Sequence, residues 1–282
     1  MIRIPNGRVA KILGMAATAL ASVTLAATPA LAGPSNGKVG GGGTSPTGYD
    51  VSYPQCPATS LPSPISFGIV GVNDGIVYSP NPCVAAEYTW AAKAAAASST
   101  SEPHVSFYAN TADPGPSSTY WPSKMASPDD CATSFASNPN SPACNYDYGW
   151  YAAQNSYDNA ANTAIGSAAA SSTWWLDIES ANSWNEGYTG NSDDIQGALD
   201  FFTQTVTAGV KVGIYTNSSS WSSITGGSTA FRKYPAWLPG ARTLRQAESN
   251  CTAAAPTAGP VALTQYSSSG LDADYDCPGV AP

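Results

Sequence analysis

The sequence predicts an α/β fold, an irregular single-domain β/α barrel of the TIM type held by disulfides, and three observations predict it. Short β-branched or aromatic runs alternate with Ala-rich helical stretches, as when strands are wrapped by helices. A chain of 282 residues that sheds a leader keeps enough length for one such barrel. Six cysteines, an even number in a chain with an export signal, read as disulfides.

The elements follow in order. Arg3, Arg8 and Lys11 precede an apolar run from Ile12 to Leu25 and the small-residue site Ala30-Leu31-Ala32, so residues 1–32 read as a secretory signal peptide. Gly14, Thr18, Ser22 and Thr24 interrupt the run, which falls short of the roughly 18 apolar residues of a membrane anchor. A secreted, extracellular chain without a membrane segment is expected after cleavage. Residues 33–47 are Gly/Ser/Pro-rich and read as a flexible leader, with the barrel domain at 48–282.

Strands are predicted at 49–53, 67–73, 105–110, 173–178, 210–216, 235–238 and 261–266. Helices are predicted at 84–97, 148–170 and 193–208, the last opening on Ser192, Asp193 and Asp194 as cap and first-turn acids. The Pro/Ser/Asn-rich stretch 111–147 reads as a long loop stapled by Cys131 and Cys144. Following the third strand, it would lie on the barrel face where active sites gather.

Composition narrows the chemistry. The formal net charge of −8, more negative still without the signal, opposes binding of nucleic acid or anionic lipid. Charged residues make up only 11% of the chain, and a neutral hydrogen-bonding surface with 8 Trp and 15 Tyr suits sugars. The six cysteines allow 15 pairings; joining nearest neighbours gives Cys56–Cys83, Cys131–Cys144 and Cys251–Cys277, each closing a short loop. No C-x-x-C occurs and His104 is the one histidine, so no metal site is expected. P-loop and dinucleotide motifs are absent from the sequence, and the one G-x-S-x-G, Gly33-Pro34-Ser35-Asn36-Gly37, falls in the Gly/Ser/Pro-rich leader and not on a strand-to-helix elbow, so no cofactor and no serine triad are expected. Without an oligomerisation signal, a monomer is expected.

The sharpest motif is Trp174-Trp175-Leu176-Asp177-Ile178-Glu179, an apolar strand ending in two carboxylates. Side chains alternate along a strand, so Asp177 and Glu179 share a face and repel when both are ionised. One should hold its proton near neutral pH, as a general acid requires. Glu179, nearer the strand end, is the candidate acid and Asp177 the deeper anionic partner. Asp50 lies within the first strand, and Asp272 follows the strand expected to close the barrel beside it.

The ordered set Gly48, Asp50, Val51, Ser52 and Gln55; Asp177 and Glu179; Gly213 to Thr216; and Gln265, Tyr266 and Asp272 resembles glycoside hydrolase family 25, the lysozyme-like muramidases. The resemblance implies cleavage of the β-1,4 link after N-acetylmuramic acid in peptidoglycan. It implies Glu179 as proton donor to the leaving oxygen and Asp177 as the group that orients the 2-acetamido or stabilises the positive intermediate. Asp50 and Asp272 would hold water and tune the pair. Two stretches depart from the family pattern: Asn73-Asp74-Gly75 stands where Thr-Glu-Gly is common, and Phe107-Tyr108-Ala109-Asn110 lacks the family's histidine. Both imply altered sugar subsites. Family 18 chitinases also end a strand in Asp and Glu, but carry further acids where this chain has Thr173 and Trp175.

Substrate-binding candidates are Asp74, Tyr108, Trp184, Tyr188, Tyr215, Trp237, Gln265 and Tyr266, with Trp184 and Tyr188 as stacking platforms just after Glu179. Trp174 and Trp175 read as core. The expected partner is peptidoglycan or a related polysaccharide. The alternatives are a glycan-binding barrel without turnover and a glycosidase for another polymer.

Overall fold

The computed structural model describes residues 46–95, 100–122, 131–184, 187–206 and 210–282. The predicted signal peptide and nearly all of the predicted leader lie outside them. Eight strands close into one barrel: β1 Thr47–Val51, β2 Gly68–Gly71, β3 Val105–Asn110, β4 Thr173–Asp177, β5 Lys211–Tyr215, β6 Ala236–Ala241, β7 Val261–Ser268 and β8 Leu271–Asp276. Neighbours from β1 to β7 run parallel, while β8 runs antiparallel to both β7 and β1.

The barrel is thus the predicted α/β architecture, but the last predicted strand does not close it. β8 comes between β7 and β1. In Leu271-Asp272-Ala273-Asp274-Tyr275-Asp276 the period-two pattern is present with acids as one of its two faces, and Asp is depleted in strands, so the run reads as a turn. The hairpin itself has a clear cause. Ser268 pairs with Leu271 across Ser269-Gly270, both at positive φ (56° and 82°), the geometry of a two-residue type I′ turn.

Alternation along β4 sorts the two cores. Trp174, Leu176 and Ile178 point outward and pack with Phe107, Ile195, Phe201 and Phe202 under the helices. Trp175 points inward and meets Phe67, Ile69, Trp237 and Leu263 within the barrel. Both tryptophans are fully buried, as the core reading of this pair requires.

The helices are α1 Val84–Ala91, α2 Cys131–Ser134, α3 Pro142–Ala161, α4 Tyr188–Asp200, α5 Ser218–Thr225 and α6 Leu244–Asn250. Several bounds differ from expectation. α1 ends at Ala91, and 96–99 lie outside the described residues. α3 begins six residues before the predicted Tyr148, because Ser141 caps it by accepting from the Cys144 N–H with Pro142 in the first turn. It stops at Ala161, and a separate 3-10 turn, Gly166–Ala170, follows. α4 starts at Tyr188, so Ser192, Asp193 and Asp194 lie inside the helix instead of capping it. A π turn, Phe201–Thr205, extends α4 and buries Phe201 and Phe202 side by side. α5 and α6 were not predicted, although Asn217 and Thr243 cap them by accepting from Ser220 and Gln246.

The disulfides are Cys56–Cys83, Cys131–Cys144 and Cys251–Cys277, the nearest-neighbour pairing. The second ties α2 to α3 and so anchors the long loop after β3, whose last residues are themselves the first turns of α3.

α3 and α4 touch backbone to backbone through glycines. A Cβ on Gly149 would lie 1.9 Å from the Asp194 carbonyl oxygen, and one on Gly197 2.0 Å from that of Tyr146. Alanine normally favours a helix by up to about 1 kcal/mol, but here the clash can be relieved only by separating two helices. Gly149→Ala is therefore expected to destabilise the fold by about 3 kcal/mol. Thermal melts beside Gly187→Ala, where a Cβ meets nothing within 4 Å, check this; equal melting temperatures would refute it.

Candidate active site

The strand ends of β1, β3, β4, β5, β6, β7 and β8 surround a cleft of about 170 Å³ at the barrel mouth. Asp50, Tyr108, Asp177, Glu179, Tyr215, Trp237, Gln265 and Asp272 line it. These are all four predicted catalytic carboxylates and four of the eight predicted sugar-binding residues, gathered from sequence positions more than 200 apart. No Lys, Arg or His is among the cleft residues, so the acids have only polar neutral groups and one another.

Asp177 sits at the end of β4, 8% exposed. Asn110 Nδ2 donates to its Oδ2 at 3.0 Å, while Oδ1 has no partner. Burial first, and then the charge of Glu179, hold its carboxyl well above the usual range. Glu179 lies beyond the strand, half-buried, and its carboxyl is raised by burial and next by Asp272. Both acids are thus shifted toward the neutral form, and the deeper one more strongly.

The backbone that carries Glu179 is pinned on every side. Ile178 N–H donates to Tyr215 O, Thr216 Oγ1 to Ile178 O, Ser180 N–H to Ser220 Oγ, and the Trp184 indole to Glu179 O at 2.7 Å. A fixed backbone with a free carboxyl head is the arrangement a proton donor needs.

On the other wall, Asp50 accepts from Gln265 Nε2 at 2.9 Å, and Gln265 accepts from the Tyr215 hydroxyl at 3.0 Å. Burial, followed by the charge of Asp272, pushes Asp50 up to about 7. Asp274, fully buried beneath, accepts from the Trp237 indole at 2.8 Å through Oδ1. Its Oδ2 is buried without a hydrogen-bond partner among the described residues. Burial first, and then the charge of Asp50, raise Asp274 well above the usual range, so the neutral form is favoured in this pair.

The remaining predicted residues are not brought to the cleft. Asp74 is exposed in the turn after β2, with its N–H on Ser79 O, while its neighbours Asn73 and Gly75 line the adjoining groove. Trp184 packs against the outer core and pairs through its backbone with Asp113, which makes it a brace for Glu179 in place of a platform. Tyr188, 58% exposed, covers Gly226 at the start of α4. Tyr266 stands on the opposite parity from Gln265, near Tyr49 and Glu248.

Three residues absent from the predicted set matter. Asn110 holds Asp177, Asn182 donates to the Asp177 and Thr111 carbonyls at 3.2 Å, and Asn73 accepts the Asn110 N–H at 2.9 Å. Asn110 shares strand parity with Tyr108 and was legible by that rule. Asn182 and Asn73, in loops, offered no signal.

The cleft opens into a wider groove of about 310 Å³ that shares Asp50, Tyr108, Asp177, Glu179 and Asp272 with it. That groove continues past Gly75, Asn110, Ala181 and Asn182 into an arm of about 470 Å³ under the loop after β3.

Comparison with known proteins follows the same line. Residues 143–249, which include Asp177 and Glu179, match the family model "Lysozyme-like protein 1". A segment of 65 residues is 45% identical to "Probable GH family 25 lysozyme 5" of Dictyostelium discoideum, covering 22% of this chain and 29% of that one. Less than a third of that relative's length is thus matched. Among solved structures, the muramidase from Trichobolus zukalii is 19% identical over 83% of this chain and 94% of its own, with a TM-score of 0.49. The lysozyme from Streptomyces coelicolor is 17% identical over 83% and 92%, with a TM-score of 0.48. In its motifs, its family-model match and its curated relative, the chain is similar to glycoside hydrolase family 25 as a divergent sequence.

Proposed function

We propose that the chain is an exported glycoside hydrolase that cuts β-1,4 N-acetylmuramyl linkages of peptidoglycan. The observation that carries this reading is the convergence of Asp50, Asp177, Glu179 and Asp272 on one aromatic-walled cleft without a cation. Acids so placed cannot all ionise, and a proton is thus retained where a leaving oxygen needs one. The family match over 143–249 supports the same chemistry.

Glu179, at the rim, gives its proton to the glycosidic oxygen as the anomeric C–O bond breaks. Water adds to the anomeric carbon, and its proton returns a carboxylate to the acid form. Asp177, on the cleft wall, orients the 2-acetamido group or stabilises the positive intermediate. Positive charge developing at the anomeric carbon favours its anion and would draw Asp177 down from its raised state. The Asp50–Asp274 pair and Gln265 hold the opposite wall and keep Asp272 near the water.

Three disulfides fit an oxidising, extracellular compartment, and the protein acts there as a monomer. Digestion of purified peptidoglycan by the oxidised protein tests the reading, with new reducing ends identified by mass. Fragments ending in N-acetylmuramic acid are expected. Fragments with N-acetylglucosamine at the reducing end would assign a different bond, and binding without cleavage would make the barrel a recognition module.

A further inference from the structure

The hydrogen bond that Asp177 receives ends a series of amide contacts that begins on α3, outside the cleft. Ser156, buried on α3, meets the buried Asn73 just past β2: Asn73 Nδ2 donates to Ser156 Oγ at 3.2 Å, and Ser156 Oγ lies 3.4 Å from Asn73 Oδ1. Asn73 Oδ1 also accepts the Asn110 backbone N–H at 2.9 Å. From the end of β3, Asn110 Nδ2 then donates to Asp177 Oδ2 at 3.0 Å and to Asn182 Oδ1 at 3.4 Å. Asn182, in the loop after β4, donates through Nδ2 to the carbonyls of Asp177 and Thr111, each at 3.2 Å.

Each amide in this series can face only one way, because a carbonyl oxygen only accepts and a backbone N–H only donates. The Asp177 and Thr111 carbonyls require the NH2 end of Asn182, which turns its oxygen toward Asn110. Asn110 must answer with its own NH2 end, and an N–H is thereby aimed at Asp177 Oδ2. From the other side, the Asn110 N–H requires the oxygen of Asn73, which leaves the Asn73 NH2 end for the Ser156 hydroxyl. Turning any of these amides over would set acceptor against acceptor or donor against donor. The backbone of Asn110 is thus held from beyond β2, and its head from the loop after β4. Asn73 and Asn110 fall in the two stretches that depart from the family pattern.

We infer that Asn73 is a positioning residue for the cleft: anchored on Ser156 of α3, it fixes the end of β3 so that the Asn110 amide points an N–H at Asp177. The inference rests on the reading of Asp177 as the partner of Glu179. A donor aimed at Oδ2 favours the Asp177 anion and opposes the burial and the Glu179 charge that favour its neutral form. Besides Glu179, the titratable groups that line the cleft with Asp177 are Asp50, Asp272, Tyr108 and Tyr215. All are acids whose ionised forms oppose the anion, so its support comes from the amide.

Carbon-13 NMR titration of the carboxyls tests it without turnover, the Asp177 signal being assigned by its loss in Asp177→Asn. Asn110→Leu, which removes the donor, is expected to make Asp177 hold its proton about 10-fold more tightly. Asn73→Ala should act in the same direction by about 3-fold, and should add nothing once Asn110 is Leu, because its effect passes through that amide. Should Asn73→Ala not fold, Ser156→Ala, which removes only the anchor, decides by the same direction of change. On peptidoglycan the acidic limb of the pH–rate profile follows. Activity that needs the Asp177 anion is gained as pH rises through its midpoint, so tighter proton binding moves that limb to higher pH with KM nearly constant. A role in stability alone would lower the melting temperature and leave the Asp177 midpoint where it is. That result, or an Asn73→Ala effect that persists in Asn110→Leu protein, overturns the inference. The two readings fail separately: a midpoint that moves as expected in a protein that cuts nothing removes the enzyme alone, and cutting with an unmoved midpoint removes the positioning role alone.

Discussion

Glu179→Gln is expected to lower kcat/KM on peptidoglycan by about 10²–10⁴-fold, the range for removal of a general acid, with the fold unchanged. The substitution keeps size and removes the transferable proton. The carboxyl head packs into neither barrel core, and the hydrogen bonds that fix this segment run through backbone atoms, Glu179 O among them. The loss should therefore fall on kcat with KM nearly constant, as when an interaction is made only in the transition state. A companion change reads the electrostatics. Asp272 is the charge that helps raise Glu179, so Asp272→Asn should lower the Glu179 pKa. Since activity requires the protonated acid and is lost as pH rises through its pKa, the alkaline limb of the pH–rate profile should move to lower pH. An unmoved limb, or Glu179→Gln protein within threefold of wild type, would assign the proton elsewhere.

The second large effect is on stability. Burial pushes Glu102 up to about 8, Glu87 to about 7, Asp50 to about 7, Asp113 to about 6 and Asp276 to about 6. In the unfolded chain these acids ionise near pH 4, so between pH 4 and about 7 the native state binds more protons than the unfolded one. Stability then falls as pH rises through that window. The melting temperature is expected to be highest near pH 4–5 and at least about 5 °C lower at pH 8, given about 2–4 °C per kcal/mol for a domain of this size. Glu102 contributes to this slope from the far end of the barrel. It accepts from Ser106 and from the Trp175 indole, leaves Oε2 without a partner, and lies beside Asp276. Glu102→Gln should raise the melting temperature at pH 8 and have little effect at pH 4.5. A melting temperature that rises steadily from pH 5 to pH 8 would show that these acids are ionised at no cost.

What was legible in the sequence follows from what periodicity can encode. β1 to β7 each contain a β-branched or aromatic core and stand out, and the D-x-E end of β4 fixed the side on which both acids would lie. β8 was hidden because its barrel-facing residues are aspartates, the residues that argue against a strand. Of the three predicted helix starts, that of α1 at Val84 stands and two moved: α4 begins at Tyr188, and α3 at Pro142 because Ser141 caps it within a stretch that reads as loop. Asp50, Asp272 and Gln265 were placed by motif order, and Asn110 was available from parity. Trp184 and Tyr188 were misplaced as platforms because proximity in sequence to Glu179 says nothing about ring direction. Of the aromatic residues that do stand exposed in the groove, Tyr53 was expected to end the first strand and lies in the 3-10 turn after it, while Tyr120 comes from the loop after β3, which carries no periodic signal.

β8 is hydrogen-bonded on both edges, to β7 and to β1, and it carries Asp272 and Asp274. The coupled acids Asp50 and Asp274 are therefore contributed by the first strand of the barrel to be synthesised and the last. A growing chain holds Asp50 without its partner, beside an open seam in the sheet, until the Ser269-Gly270 hairpin has formed. Sealing the seam and assembling the acid cluster are then a single event, so that a partly folded chain has neither a finished barrel nor a complete set of cleft acids.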